Sequence, residues 1–338
     1  MSRSTSHAST SDASWPLDAT LIVVDDTPVW TPPPTHTVST PDGRVLQYCL
    51  YGPEDGYPVI DHHGTPGGRL AGPRFLDVVT RSGVRILCYD RPGYGGSTRH
   101  LGRSVADVTD DVAVLADAQG WDRFITVGGS GGAPHALACA ARLPDRVIRC
   151  AAIACPAPYV ADGGDGPAGL GPASFFTGMS PGEVAETKAA LLGEAAYRPL
   201  VEQIGREVMA NTEAGEPNIL PGYELSDADI AEIRRAFAEP SPGRLDRARA
   251  MWLDSHDGWI DDMVAMTRPW GFDLAELRVP VSLWYGLDDV LCPATHSEWL
   301  LRHIPGVDGR QLPGGHLPSE DSFAEVLRWT VAQAGGEF

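Results

Sequence analysis

The chain has 338 residues, 43% hydrophobic and 21% charged, which excludes wholesale disorder and collagen-like repeats and leaves ample length for a large buried core. Its 26 Lys and Arg stand against 45 Asp and Glu, a net charge of −19. Such a field repels phosphate backbones and anionic lipid surfaces, so neither nucleic acid nor a membrane is an expected partner. The six cysteines (Cys49, Cys88, Cys139, Cys150, Cys155, Cys292) form no C-x-x-C pair and sit mostly in apolar runs, as buried free thiols in a reducing compartment do. The opening stretch Met1 to Ser14 is polar and has no apolar signal core. No apolar run approaches the ~18 residues of a membrane span. A cytoplasmic protein is the expectation.

Residues 1–34 read as a flexible arm, rich in Ser and Thr and then Pro, with one apolar patch at Leu21 to Val24. From 35 to 155, short β-rich runs alternate with helical stretches. The runs are 37–40, 45–50, 59–61, 84–89, 124–127 and 147–154; the helices lie near 70–81, 104–119 and 132–143. The first two runs, joined by Pro41-Asp42-Gly43, predict an antiparallel entry hairpin. From 156 to 274 strand signals nearly vanish. Helix starts at Ser180-Pro181-Gly182-Glu183, at Ser226-Asp227-Ala228-Asp229 and at Ser241-Pro242 predict a helical cap of about four helices. From 275 to 338 the alternation resumes, with strands at 281–285 and 309–312 and helices near 295–303 and 319–333. The expected architecture is an α/β body (35–155 and 275–338) around a mostly parallel sheet, with helices on both faces and an inserted cap (156–274).

The sharpest chemical signal is Val127-Gly128-Gly129-Ser130-Gly131-Gly132, between an apolar strand and a helix. Gly-x-Ser-x-Gly in that setting is a nucleophile elbow, a tight turn that lifts the Ser130 hydroxyl to a helix N-terminus. A nucleophilic serine needs a base, and the base needs an orienting carboxylate. His316, in Pro313-Gly314-Gly315-His316 after a strand, is the candidate base. Asp288 and Asp289, directly after the 281–285 strand, compete as the carboxylate; Asp289 is favoured by its spacing from Gly286 and Pro293. Acyl transfer also needs two donors on the developing oxyanion. The N–H of Gly131 is one, and the N–H of Thr65 in His63-Gly64-Thr65-Pro66-Gly67 is the second, Pro66 having none. His62, His63 and His135 read as packed side chains. Adjacent histidines point in different directions and lack metal-ligand spacing. Acyl transfer by such a triad implies no metal and no organic cofactor.

These motifs together resemble the α/β-hydrolase superfamily: the His63 to Gly67 loop, Asp90-Arg91-Pro92-Gly93-Tyr94-Gly95-Gly96-Ser97, the elbow at Ser130, Gly286-x-x-Asp289 and Gly315-His316 fall in that family's order from about 37 to 334. Ser130 at the elbow, where the family's epoxide hydrolases and haloalkane dehalogenases carry Asp, argues against both of those reactions. The His-Gly-x-Pro-Gly loop and cap look like the proline iminopeptidase-like and esterase-like branch. The resemblance to peptidases is partial, since Thr65 stands where they carry a second Gly and Gly131 where they often carry Trp. The resemblance implies a serine hydrolase acting on an ester, lactone, thioester or amide of a small, fairly apolar substrate. The alternatives are acyl transfer, cyclisation or C–C cleavage in specialised metabolism, a proline iminopeptidase-like aminopeptidase and, last, a ligand receptor. Within the cap, Phe175, Phe176, Trp252, Trp259 and Trp270, with Met179, Met209, Met251, Met263 and Met266, are candidates for an apolar pocket as well as for helix packing. The cap glutamates, Glu183 and Glu186 among them, read mostly as solvated helix faces.

Overall fold

The computed structural model describes residues 22–24, 27–29, 31–219, 222–239, 241–253 and 255–332. The polar stretch Met1 to Ser14 lies outside them. An antiparallel pair, β1 (Ile22–Val24) and β2 (Thr27–Val29), stands apart from the main sheet. Each of the eight strand runs picked out in the body then becomes a strand of that sheet: β3 (His36–Ser39), β4 (Val45–Tyr51), β5 (Tyr57–His62), β6 (Val84–Tyr89), β7 (Phe124–Gly129), β8 (Val147–Ile153), β9 (Val281–Gly286) and β10 (Asp308–Leu312). Their spatial order is β10-β9-β8-β7-β5-β6-β4-β3. The entry hairpin β3–β4 is antiparallel, as is β4–β6, and every other pairing is parallel.

Neighbouring residues on the central strands enter opposite cores, which is why these runs are apolar at successive positions. Ile60, Leu87 and Phe124 pack on one face under α2 (Val108–Ala118), α3 (Ala133–Arg142) and α10 (Ala294–His303). Val59, Ile86 and Ile125 pack on the other under α1 (Pro73–Ser82) and α11 (Glu320–Ala332). All six cysteines are buried and free. No helix among the described residues is long and apolar enough to cross a membrane.

Among the described residues six α-helices, more than the four read from the sequence, lie between β8 and β9: α4 (Pro172–Phe175), α5 (Pro181–Leu191), α6 (Glu194–Ala214), α7 (Asp227–Ala238), α8 (Arg244–Trp252) and α9 (Asp257–Met266). Ser226 caps α7 as expected, its hydroxyl accepting from the Asp229 N–H. Ser180 does occupy the N-cap of α5, but its hydroxyl accepts from the Glu224 N–H, and its own N–H goes to the Val290 carbonyl, which leaves Glu183 without a capping role. The third helix begins at Arg244, two residues beyond the expected start, because Gly243 turns the chain in the left-handed region and Ser241 is held by Arg247.

The loops that carry the candidate residues, those after β5, β7, β9 and β10, all leave the C-terminal edge of the parallel strands. In open α/β sheets this edge is where ligands bind. His62 sits opposite Gly128 in the β5–β7 register, and Gly286 opposite Leu312 in the β9–β10 register. The sheet therefore delivers the Thr65 loop beside Ser130, and Asp289 beside His316.

Candidate active site

Ser130 follows β7 directly and has φ 52, a left-handed backbone that costs a non-glycine residue about 1–2 kcal/mol. The flanking glycines make the turn possible. A Cβ on Gly128 would strike the Gly132 carbonyl, and one on Gly132 would strike the His62 carbonyl. Ser130–Gly132 forms one 3₁₀ turn leading into α3, so the Gly131 N–H stands at a helix start with no intrahelical acceptor.

Asp289 is the carboxylate that meets the histidine. Its Oδ2 lies 2.9 Å from His316 Nδ1, while Oδ1 accepts the N–H groups of Leu291 and Cys292, both at 2.8 Å. Asp288 is exposed and makes only a backbone tie to the Gly314 carbonyl. Burial disfavours the His316 imidazolium, but Asp289 outweighs it, with Asp229 and Glu183 adding, so the ring is held above its ordinary 6.5.

A cavity of about 300 Å³ joins the parts: Ser130, Gly131, Thr65 and His316 all line it. Its other walls are mainly apolar, with Phe175, Met179, Met263, Met266 and Leu291. Of the five cap aromatics only Phe175 reaches it. Trp252 and Trp259 stack on each other at 6.3 Å inside the helical layer, because the interface of α6, α8 and α9 needs their area. Trp270 donates its indole N–H to the Met266 carbonyl and packs toward Phe272, and Phe176 lies under the Lys188 ammonium. Met209 and Met251 likewise fall outside the cavity.

The Thr65 loop is anchored from behind. Arg91, fully buried, donates to the His63 and Gly64 carbonyls and pairs with Asp262 of α9 at 2.6 Å. Asp262 also accepts from Arg103 at 2.6 Å, Tyr94 at 2.9 Å and the Thr65 hydroxyl at 3.0 Å. Thr65 and Gly131 are steric complements, since a Cβ on residue 131 would overlap the Thr65 side chain. This accounts for both departures from the peptidase pattern at once.

His62 bonds Thr126 and Tyr89, His63 bonds the Gly64 carbonyl, and His135 bonds the Gly131 carbonyl. All three are pushed below the usual imidazole range, first by burial and then by Arg91, so they are neutral packed side chains. The reading of the cap glutamates as solvated needs correction at two positions. Glu183 lines the cavity, where burial pushes it up to about 7 with His316 opposing and Asp289 adding. Glu186 is buried and accepts from the hydroxyls of Tyr197 and Tyr223; burial, then Glu183, pushes it up to about 8. His296, unremarked in the sequence, braces the wall by bonding the Phe175 carbonyl (2.8 Å) and the Ala157 N–H (3.0 Å).

A mostly parallel eight-stranded sheet with an elbow serine, a histidine and a carboxylate gathered at its C-terminal edge defines an enzyme of the α/β-hydrolase kind. Residues 57–322 match the family described as "alpha/beta hydrolase fold", and the chain belongs to that family. It is 30% identical over 302 residues to a non-heme chloroperoxidase of Streptomyces lividans, covering 86% of this chain and 96% of that protein. Over 135 residues it is 30% identical to a bifunctional esterase/perhydrolase of Acinetobacter calcoaceticus, covering 39% of this chain and 49% of that protein. The esterase RhEst1 from Rhodococcus sp. ECU1013 shares the fold with a TM-score of 0.62 at 17% identity, over 89% of this chain and 99% of that one. Family membership with esterase relatives supports hydrolase activity.

Proposed function

We propose that the chain is a serine hydrolase that cleaves an ester, lactone, thioester or amide bond of a small, fairly apolar substrate through an acyl-enzyme. The observation that carries this reading is the shared cavity of Ser130 and His316, with the far side of the imidazole tied to Asp289 at 2.9 Å. Ser130 Oγ attacks the carbonyl carbon and passes its proton to His316 Nε2, the ring nitrogen not held by Asp289. The N–H groups of Thr65 and Gly131 hold the oxyanion. As the tetrahedral adduct collapses, His316 returns the proton to the leaving oxygen, sulfur or nitrogen. Water then attacks the acyl-enzyme and gives a proton to His316, which passes it to Ser130 Oγ as the adduct collapses, releasing the acid and free Ser130. The helices between β8 and β9 act as the cap that sizes the pocket, and its Met and Phe walls favour apolar acyl or ring groups.

Labelling with a fluorophosphonate probe, wild type against Ser130→Ala, tests the nucleophile. A p-nitrophenyl ester chain-length series then sizes the pocket. The expected result is labelling and turnover by the wild type alone; equal labelling of both proteins rejects Ser130. The likeness to a perhydrolase favours one second reading, release of the acyl group to a nucleophile other than water, which product analysis with added acceptors separates.

The pH dependence follows from His316. Only the neutral ring accepts the serine proton, and Asp289 holds the imidazolium stable above 6.5. Hence kcat/KM falls as pH drops through a value above 6.5, and Asp289→Asn moves that acid limb down while lowering kcat by about 10⁴. A wild-type limb centred below 6 contradicts the His316–Asp289 pairing.

A further inference from the structure

Asp229 is the third residue of α7, the position from which a capping-box acid ordinarily reaches back to its own N-cap N–H. Its carboxylate instead takes the Ser226 hydroxyl at 2.7 Å and turns both oxygens onto the loop after β10. Oδ2 accepts the backbone N–H of His316 at 3.1 Å, and Oδ1 accepts that of Leu317 at 2.8 Å. The residue is 1% exposed. The approach is so close that a Cβ on Gly315 would overlap both the Asp229 carboxylate and Ser226 Oγ.

We propose that Asp229 is a positioning residue for His316, so that the seating of α7 against the β10 loop completes the triad. The proposal rests on the reading of His316 as the base. Asp289 fixes only the direction of the imidazole Nδ1. Where the ring stands is set by its own backbone, and consecutive N–H groups on one carboxylate fix both the position and the rotation of that backbone. Hydrogen bonds to an ionised acceptor are about twice as strong as neutral ones, which suits a clamp of two contacts. With α7 lifted, two N–H groups lose their acceptor and the loop is free to relax. A displacement of about 1 Å in a catalytic group costs on the order of 10²-fold in rate. The helical segment thus supplies a part of the machinery as well as a wall of the pocket.

The clamp also sets charge. The ionisable groups facing His316 are Asp289 from the loop after β9, Asp229 from α7 and Glu183 from α5. Each favours the imidazolium, so neutralising Asp229 moves the acid limb of kcat/KM toward lower pH. A merely structural role for Asp229 leaves that limb where it is.

The test uses the full chain with Asp229→Asn and Gly315→Ala. An asparagine keeps one acceptor oxygen, loses the charge, and presents an NH₂ to one of the two N–H groups. Gly315 lies outside the left-handed region, so the added methyl acts only by wedging α7 off the loop. For Asp229→Asn the expected result is a kcat loss on the order of 10²-fold, KM within about threefold, and an acid limb displaced downward. For Gly315→Ala it is a kcat loss on the order of tenfold or more with slower fluorophosphonate labelling. If Asp229→Asn does not fold, Gly315→Ala decides. Wild-type rates and an unmoved limb in the folded variants overturn the clamp while leaving the triad intact. Failure of the wild type itself to label overturns the reading of Ser130 and His316, a separate outcome.

Discussion

Ser130→Ala lowers kcat on the order of 10⁶-fold, with KM near the wild-type value and the thermal midpoint unchanged within error. The size follows from what is deleted. In the proposed mechanism Oγ is the atom that forms the new bond, and without it His316 and Asp289 have no proton to move. The turn itself survives, because the glycines at 128 and 132 that make room for it are untouched and alanine meets the same backbone constraint at φ 52. Under the same proposal, activity remaining in the variant comes from the Thr65 and Gly131 N–H groups and from substrate binding, which together leave about 10³–10⁴ over water in serine hydrolases. Steady-state assays on a p-nitrophenyl ester, with active-site titration to exclude traces of wild type, read the ratio. A loss below tenfold removes Ser130 from the chemistry.

The parts of this site that were legible in the sequence share a physical origin. Ser130, Thr65, Asp289 and His316 each sit in a short turn directly after a β-rich run, and tight turns demand glycine at fixed offsets. Local sterics therefore write these positions into the chain: Gly128 and Gly132 are excluded from being anything larger by carbonyls next to them in the fold. The central strands are equally legible, since strands buried on both faces need unbroken apolar runs. The parts that were not legible depend on which helix packs where. Glu183 stands where a capping acid would, but the Ser180 N–H it would accept goes to the Val290 carbonyl, and Glu183 lines the cavity instead. Asp229 looks like the third residue of an ordinary N-terminus, and its true partners lie 87 and 88 residues away. The cap tryptophans have the right composition for a pocket, but burying their area between helices is what the cap itself requires.

Asp262 is the third such carboxylate, and its removal carries the largest expected cost in stability. In Asp262→Ala the fully buried guanidinium of Arg91 loses its 2.6 Å partner, and Arg103 loses another at the same distance. Breaking a buried pair from one side costs about 3–5 kcal/mol, because the remaining charge is left without compensation. For a chain of this size that is a fall in thermal midpoint of roughly 4–7 °C. Burial alone would raise the Asp262 carboxyl, yet Arg91 and then Arg103 hold it well below the usual carboxylate range. Its folded value is therefore lower than its unfolded one. The stability it contributes is complete above the unfolded value of about 3.9 and is lost as pH falls through the folded value. The deficit of the variant should accordingly be constant from about pH 5 to 8 and narrow only in stronger acid. Activity falls with stability, since Arg91 is also what grips the His63 and Gly64 carbonyls, and the Thr65 hydroxyl bonds Asp262 directly. The Thr65 N–H, the proposed oxyanion donor, then loses its backing. Calorimetry across that pH range, alongside kcat on the folded variant, checks both effects. A midpoint shift under about 2 °C, or a deficit that grows in acid, contradicts the network as the anchor between α9 and the Thr65 loop.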